Sequence, residues 1–186
     1  MMYMSGKSGR EENPERIPSS PPTNPVGFTL AELLVVIVIL GIAAMVVIPT
    51  IHDNHDFEVS SAARLLVADL MFAQTYAIAQ KHDYQVVFDM ANETYEIQNP
   101  DDGSVITHPV NKTPYRVDFP ASEHMNEVTL TTADFDATNL VRFNSLGIPY
   151  NGGGNQLAAR GKVTLSAGKF NVDVTVEPIS GRINSP

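Results

Sequence analysis

At 186 residues, 43% of them hydrophobic, the chain has room for one folded domain with appendages and enough apolar material to build a core. It has no cysteine, which excludes disulfide frameworks, thiolate metal sites and cysteine nucleophiles. The formal net charge of -9 falls almost wholly after residue 51, where nine basic residues face seventeen acidic ones for a net -8; such a domain repels phosphate backbones and gains nothing from counterion release, so nucleic acid is a poor partner for it.

Residues 1–26 are rich in Ser, Pro, Gly and charge and end in Ile17-Pro18-Ser19-Ser20-Pro21-Pro22-Thr23-Asn24-Pro25. That composition cannot bury enough surface to order itself, and with Gly27 it reads as a disposable leader, residues 1–27. The character changes at Gly27-Phe28-Thr29-Leu30-Ala31-Glu32, after which Leu33 to Ile48 contains no polar side chain. With its flanks the apolar stretch, residues 28–51, reaches the roughly 20 residues that a helix needs to cross a bilayer. A secretory signal peptide would be shorter and would end in a small-x-small cleavage site, whereas Ala43-Ala44 lies inside this block with Met45-Val46-Val47-Ile48 still to come. A plain signal anchor fits the length but leaves Glu32 as an accident.

Glu32 is the informative residue. A carboxylate inside a membrane helix costs about 2.5 to 3.5 kcal/mol on insertion scales, so it is rarely present without a partner. The segment Gly27-Phe28-Thr29-Leu30-Ala31-Glu32-Leu33-Leu34-Val35-Val36-Ile37 resembles the type IV prepilin motif, shared by pilins and by the pseudopilins of type II secretion. The resemblance implies that a prepilin peptidase cuts between Gly27 and Phe28, that Phe28 becomes the N-methylated first residue, and that Glu32 serves subunit assembly. A cationic amine at the start of one helix and the buried carboxylate of its neighbour favour one another in a low-dielectric filament core, and such a pair can set axial register. The leader departs from the usual pattern in being long and electrically balanced, with Lys7, Arg10 and Arg16 against Glu11, Glu12 and Glu15.

Pro49, at the end of the apolar block, is expected to kink or interrupt the helix, and Gly41 is a second weak point. Residues 52–82 are then expected to continue as an amphipathic helix. Val59, Ala63, Leu66, Leu70, Ala73 and Ala77 recur at spacings of four and three and line one face, while Arg64, Gln74 and Lys81 fall outside that stripe. The stripe is that of a helix lying on a sheet.

From residue 83 to 186 the pattern changes to short runs of strand formers. Strands are expected over Tyr84–Phe88, Thr94–Gln98, Val105–His108, Tyr115–Phe119, Glu127–Thr131, Leu140–Asn144, Lys162–Ser166 and Phe170–Glu177, with a hairpin turn at Ala167-Gly168-Lys169. The fold class is therefore α+β, a long N-terminal helix packed on antiparallel sheet. Val67 to Ala79 followed by Tyr84-Gln85-Val86-Val87-Phe88, then Leu140 to Pro149, then the strand pair leading into Ile179-Ser180-Gly181-Arg182-Ile183, resemble the GspH/FimT group of minor pseudopilins and minor pilins. Gln74 stands where that group commonly has arginine.

Little else carries chemistry. His52 and His55 with Asp53 and Asp56 have metal-compatible spacing, but they sit in a polar juncture where solvated residues are expected anyway, and no metal is assigned. Asn151-Gly152-Gly153-Gly154-Asn155 lacks the lysine and the strand-to-helix context of a phosphate loop, and Asp101-Asp102-Gly103 reads as a turn. No catalytic constellation emerges, so the expectation is a structural protein that is not an enzyme and needs no cofactor. Its expected partners are a prepilin peptidase, other pseudopilins or pilins in a filament, and the bacterial inner membrane, with the C-terminal domain in the periplasm. The first reading is a minor pseudopilin of type II secretion; the alternative is a minor pilin of a type IV pilus, which in its DNA-uptake form would want a basic surface that this acidic domain lacks.

Overall fold

Short runs of β-branched and aromatic residues punctuated by Gly, Asn and Asp dictate a strand-rich domain, and a computed structural model, which describes residues 27–47 and 55–185, shows one. Residues 1–48 and 49–186 form two units. The first holds helix α1, Leu30–Val47. The second holds helix α2, His55–Gln80, and nine strands: β1 Tyr84–Asp89, β2 Thr94–Gln98, β3 Arg116–Asp118, β4 Thr129–Asp134, β5 Leu140–Phe143, β6 Pro149–Asn151, β7 Gly161–Ala167, β8 Phe170–Val176 and β9 Ile183–Asn184. Pro49, His52 and Asp53, for which a kink and a metal-compatible cluster were considered, lie outside the described residues.

The strands form two antiparallel sheets, ordered β3-β2-β1-β5-β6 and β4-β7-β8-β9. β7 and β8 form the expected hairpin, whose turn is Gly168-Lys169 because Ala167 already pairs with Phe170, with Gly168 at φ +56 supplying the left-handed position that such tight hairpins need. Helix α2 packs on β1 and β5 of the first sheet and on β7, β8 and β9 of the second. All six stripe residues, from Val59 to Ala77, are buried. Between the sheets, the Phe88 ring stacks on Phe135 at 5.7 Å. Helix α2 is long and apolar enough to cross a membrane by composition, but its buried face marks it as the core helix of the domain.

Two expectations are corrected. Val105–His108 is not a strand: it makes isolated bridges, Gln98 to Val105 and Thr107 to Pro114, within an irregular excursion between β2 and β3. Its donors are divided between two neighbours, the Ile106 N–H bonding the Ile97 carbonyl of β2 and the His108 N–H the Thr113 carbonyl, so no continuous ladder forms with either. Pro149–Asn151, by contrast, is a strand that propensity hides, because its proline occupies the first position of an edge strand, where the missing donor is tolerated.

The core also contains a carboxylate that the apolar stripe conceals. Asp69, 6% exposed, accepts hydrogen bonds from the Tyr95 hydroxyl at 2.7 Å and the Tyr115 hydroxyl at 3.0 Å. The Tyr115 ring is in turn packed between Phe72 and His108, at 5.1 and 4.4 Å. One acidic side chain thus ties α2 to β2 and to the residue preceding β3. Burial pushes the Asp69 carboxyl above its ordinary range, against the opposing pull of the two tyrosine bonds and the nearby His108. A carboxyl held more tightly protonated in the folded state contributes stability that is complete below the ordinary carboxylate pKa and is lost as pH rises through the folded value. Thermal melts of the wild type and Asp69→Asn should therefore show the wild type losing ground to the variant as pH rises above the ordinary carboxylate range, near pH 4. A difference that stays constant, or grows in favour of the wild type, would contradict this.

Candidate functional site: a capped apolar helix and a pinned domain

The start of α1 is set by Thr29. Its hydroxyl oxygen accepts a hydrogen bond from the Glu32 backbone N–H at 3.2 Å, and its carbonyl accepts from the N–H groups of Glu32 and Leu33 at 3.1 and 3.2 Å. Thr29 is thus the N-cap and Glu32 the third helical residue, the Thr-x-x-Glu spacing of a capping box. The position also places the Glu32 carboxylate in the first turn, where the helix dipole favours negative charge. Two of the motif's residues therefore have a local physical reason to be where they are. Gly27 and Phe28 precede the helix and are exposed, without regular structure.

From Leu30 to Ala44 every side chain of α1 is exposed, including Leu33, Leu34, Ile37, Ile39 and Leu40. At 18 residues and about 1.5 Å per residue the helix is about 27 Å long, close to the roughly 30 Å of a bilayer's hydrocarbon core. Glu32 is its one charged residue. A helix apolar on all sides needs lipid or other helices around it.

In the domain, the structure brings together three of the segments on which the family resemblance rests. Gln74, on the flank of α2 beside the buried stripe, donates from its side-chain amide to the carbonyl of Gly147 at 2.8 Å and to that of Gly181 at 3.1 Å. Gly147 lies in the turn between β5 and β6, in the first sheet, and Gly181 in the turn between β8 and β9, in the second. One amide therefore staples a turn of each sheet to the same helix. Both glycines have left-handed backbones, φ +78 and +63. A Cβ on Gly147 would meet the Ile78 side chain at 2.9 Å, and one on Gly181 would meet the Gly147 carbonyl at 2.6 Å. Sequence periodicity placed Gln74 merely outside the apolar stripe; its partners are 73 and 107 residues away, beyond any local signal.

Of the remaining candidates, His55 and Asp56 begin α2, and the Asp56 carboxylate accepts from the Phe57 N–H at 2.7 Å. Among the described residues no three His, Asp or Glu side chains converge as a metal site would require. Asn151 organises the glycine-rich loop, its side-chain oxygen accepting from the N–H groups of Gly153 and Asn155, both at 3.0 Å. His82 bonds Asp101 at 2.9 Å on the surface.

No family model matches the sequence, and no curated protein matches it either. Solved structures do. The minor pseudopilin EpsH from the type 2 secretion system of Vibrio cholerae superposes with a TM-score of 0.51 at 12% identity, over 69% of this chain and 96% of that one. The type IV minor pilin FimU of Pseudomonas aeruginosa gives a TM-score of 0.49 at 19% identity, over 69% of this chain and 88% of that one.

The staple makes a direct prediction. Gln74→Ala, which leaves two part-buried carbonyls without their donor, should lower unfolding free energy by about 1–3 kcal/mol in a urea titration, whereas Gln74→Arg, with donors enough for both, should lose less. Equal losses in the two variants would show that the Gln74 amide does not hold the two turns. By fold, then, this chain is pilin-like, an N-terminal helical region followed by antiparallel sheets as in minor pseudopilin EpsH.

Proposed function

We propose that the chain is a structural subunit of a filament, made as a precursor, cut by a prepilin peptidase between Gly27 and Phe28, and assembled through α1. The observation that carries this reading is the position of Glu32, one turn into an otherwise apolar helix that begins two residues after Phe28, in a chain with a pilin-like fold. In this reading residues 1–27 are the leader, 28–51 the anchor and assembly segment, 52–82 the helix of the domain and its approach, and 83–186 the strand-rich remainder. The anchor sits in the bacterial inner membrane and the domain in the periplasm.

The chemistry follows from the cap. Cleavage after Gly27 leaves Thr29 inside the mature chain, so the helix keeps its N-terminal hydrogen bonds when the leader departs. The new amine on Phe28, which the peptidase also methylates, is cationic and sits close to the bilayer surface. In the filament it pairs with Glu32 of the adjoining subunit, where lipid and protein exclude water and an unpaired carboxylate is costly. The apolar surface from Leu33 onward supplies the remaining helix contacts. The protein performs no reaction itself.

Among filaments, we place the subunit in a type II secretion pseudopilus as a minor pseudopilin. The support is the likeness to EpsH, which extends over 96% of that protein's chain, together with the domain's net charge of -8, which disfavours the DNA-binding form of the pilus alternative.

Intact mass, measured on full-length chain expressed with and without a prepilin peptidase, tests the processing step. Peptidase should remove residues 1–27 from the wild type and add one methyl group to Phe28, and Gly27→Ala should remain uncut. A wild-type chain left whole by an active peptidase would contradict the reading.

A further inference from the structure

Three elements meet beside Gln74, and each leaves a large apolar side chain in water. Ile78 of α2, Leu146 in the β5–β6 turn and Ile179 in the β8–β9 turn are 48%, 75% and 74% exposed. Their proximity follows from the staple. Ile78 lies against Gly147, the neighbour of Leu146, and the Gln74 amide holds the Gly147 and Gly181 carbonyls together, two residues from Ile179. Met71, seven residues before Ile78 and also exposed, extends the patch along the outward face of the helix.

Ile179 is the unusual member. Its φ of +70 puts a β-branched residue in the left-handed region, where Cβ and carbonyl crowd one another and where Gly or Asn is the ordinary occupant. The conformation is held by the turn around it, in which the Gly181 N–H donates to the Glu177 carbonyl at 3.0 Å and the Ser180 N–H to the Pro178 carbonyl at 2.8 Å. The backbone would be easier with glycine, and the exposed side chain would be better solvated if polar. Neither folding nor solubility explains an isoleucine there. Strain retained at an exposed position is characteristic of surfaces that do something.

We propose that Ile78, Leu146 and Ile179 form the contact surface for the domain of a neighbouring subunit, a chain tethered beside this one by its own apolar N-terminal helix. The inference rests on the proposed function and adds the surface through which the domains, rather than the helices, meet. The size of the patch selects this occupant. Side chains exposed to this degree present roughly a few hundred Å² of apolar surface, against about 800 Å² per partner in a stable free-standing interface. A patch this small cannot hold a dissolved partner. It suits one already held alongside by a second attachment, because tethering raises the effective concentration and makes a weak contact sufficient.

The test uses the full chain in its own cells. A photo-crosslinking amino acid is placed at position 146, with position 112 as an exposed control and position 34 as a reporter of helix contacts. Adducts are identified by mass spectrometry. Position 146 should yield an adduct with a chain that itself carries an apolar N-terminal helix, position 112 should not, and Ile179→Asn should lower the adduct about ten-fold. Because the substitution relieves strain, Ile179→Asn should melt at or above the wild-type temperature. Adducts at 34 with none at 146 would overturn this inference and leave the filament reading intact; none at either position would overturn both. An adduct at 146 with a protein lacking such a helix, or a clear loss of stability in Ile179→Asn, would also overturn it.

Discussion

One face of α2 is buried against both sheets, and the arrangement of the domain depends on that burial. No strand is shared between the sheets, so the ladders alone leave their relative placement undefined. The helix supplies it with small and aliphatic side chains from Val59 to Ala77, which let the strands approach closely, and with two polar anchors. Asp69 ties the helix to β2 and to the residue preceding β3, and Gln74 ties it to a turn of each sheet. Buried polar groups stabilise only when their partners are in place, so these two contacts penalise every other docking of the helix. The apolar face holds the sheets together, and the anchors specify how.

The first helix obeys a different constraint. Its described side chains are exposed on every face, which α2's are not, and it carries a single charge, placed where its own dipole favours it. A helix of this kind is incomplete in water. The capping threonine lies after the proposed cleavage point, so the hydrogen bonds that start the helix do not depend on the residues before it. α2 completes the core of the domain, whereas α1 leaves its described side chains exposed.

Much of this was legible in the sequence. The period of three and four from Val59 to Ala77 named the buried face correctly, because packing on a flat sheet demands an apolar stripe. Most strands were legible from β-branched runs bounded by turn residues. The polar anchors were not. Asp69 sits among apolar neighbours, and only the arrival of Tyr95 and Tyr115 from 26 and 46 residues away makes a carboxylate tolerable there. Gln74 appeared as a departure from a family pattern; its role depends on two turn carbonyls brought together by the fold. The excursion at 105–108 is not a strand because its hydrogen bonds are divided between β2 and residues 113–115, and the edge strand at 149–151 was hidden by its own proline. Local pattern reports what a segment buries, but not which distant group satisfies its polar atoms.

In the proposed function, Glu32 joins one subunit to the next. The most direct measurement is the amount of processed chain recovered in filaments sheared from cells stripped of their outer membrane, comparing wild type with Glu32→Leu after confirming that both are cut at Gly27. The two should be processed alike, and the variant should be lost from the sheared fraction while remaining in the membrane. Undiminished recovery of Glu32→Leu in filaments would contradict it.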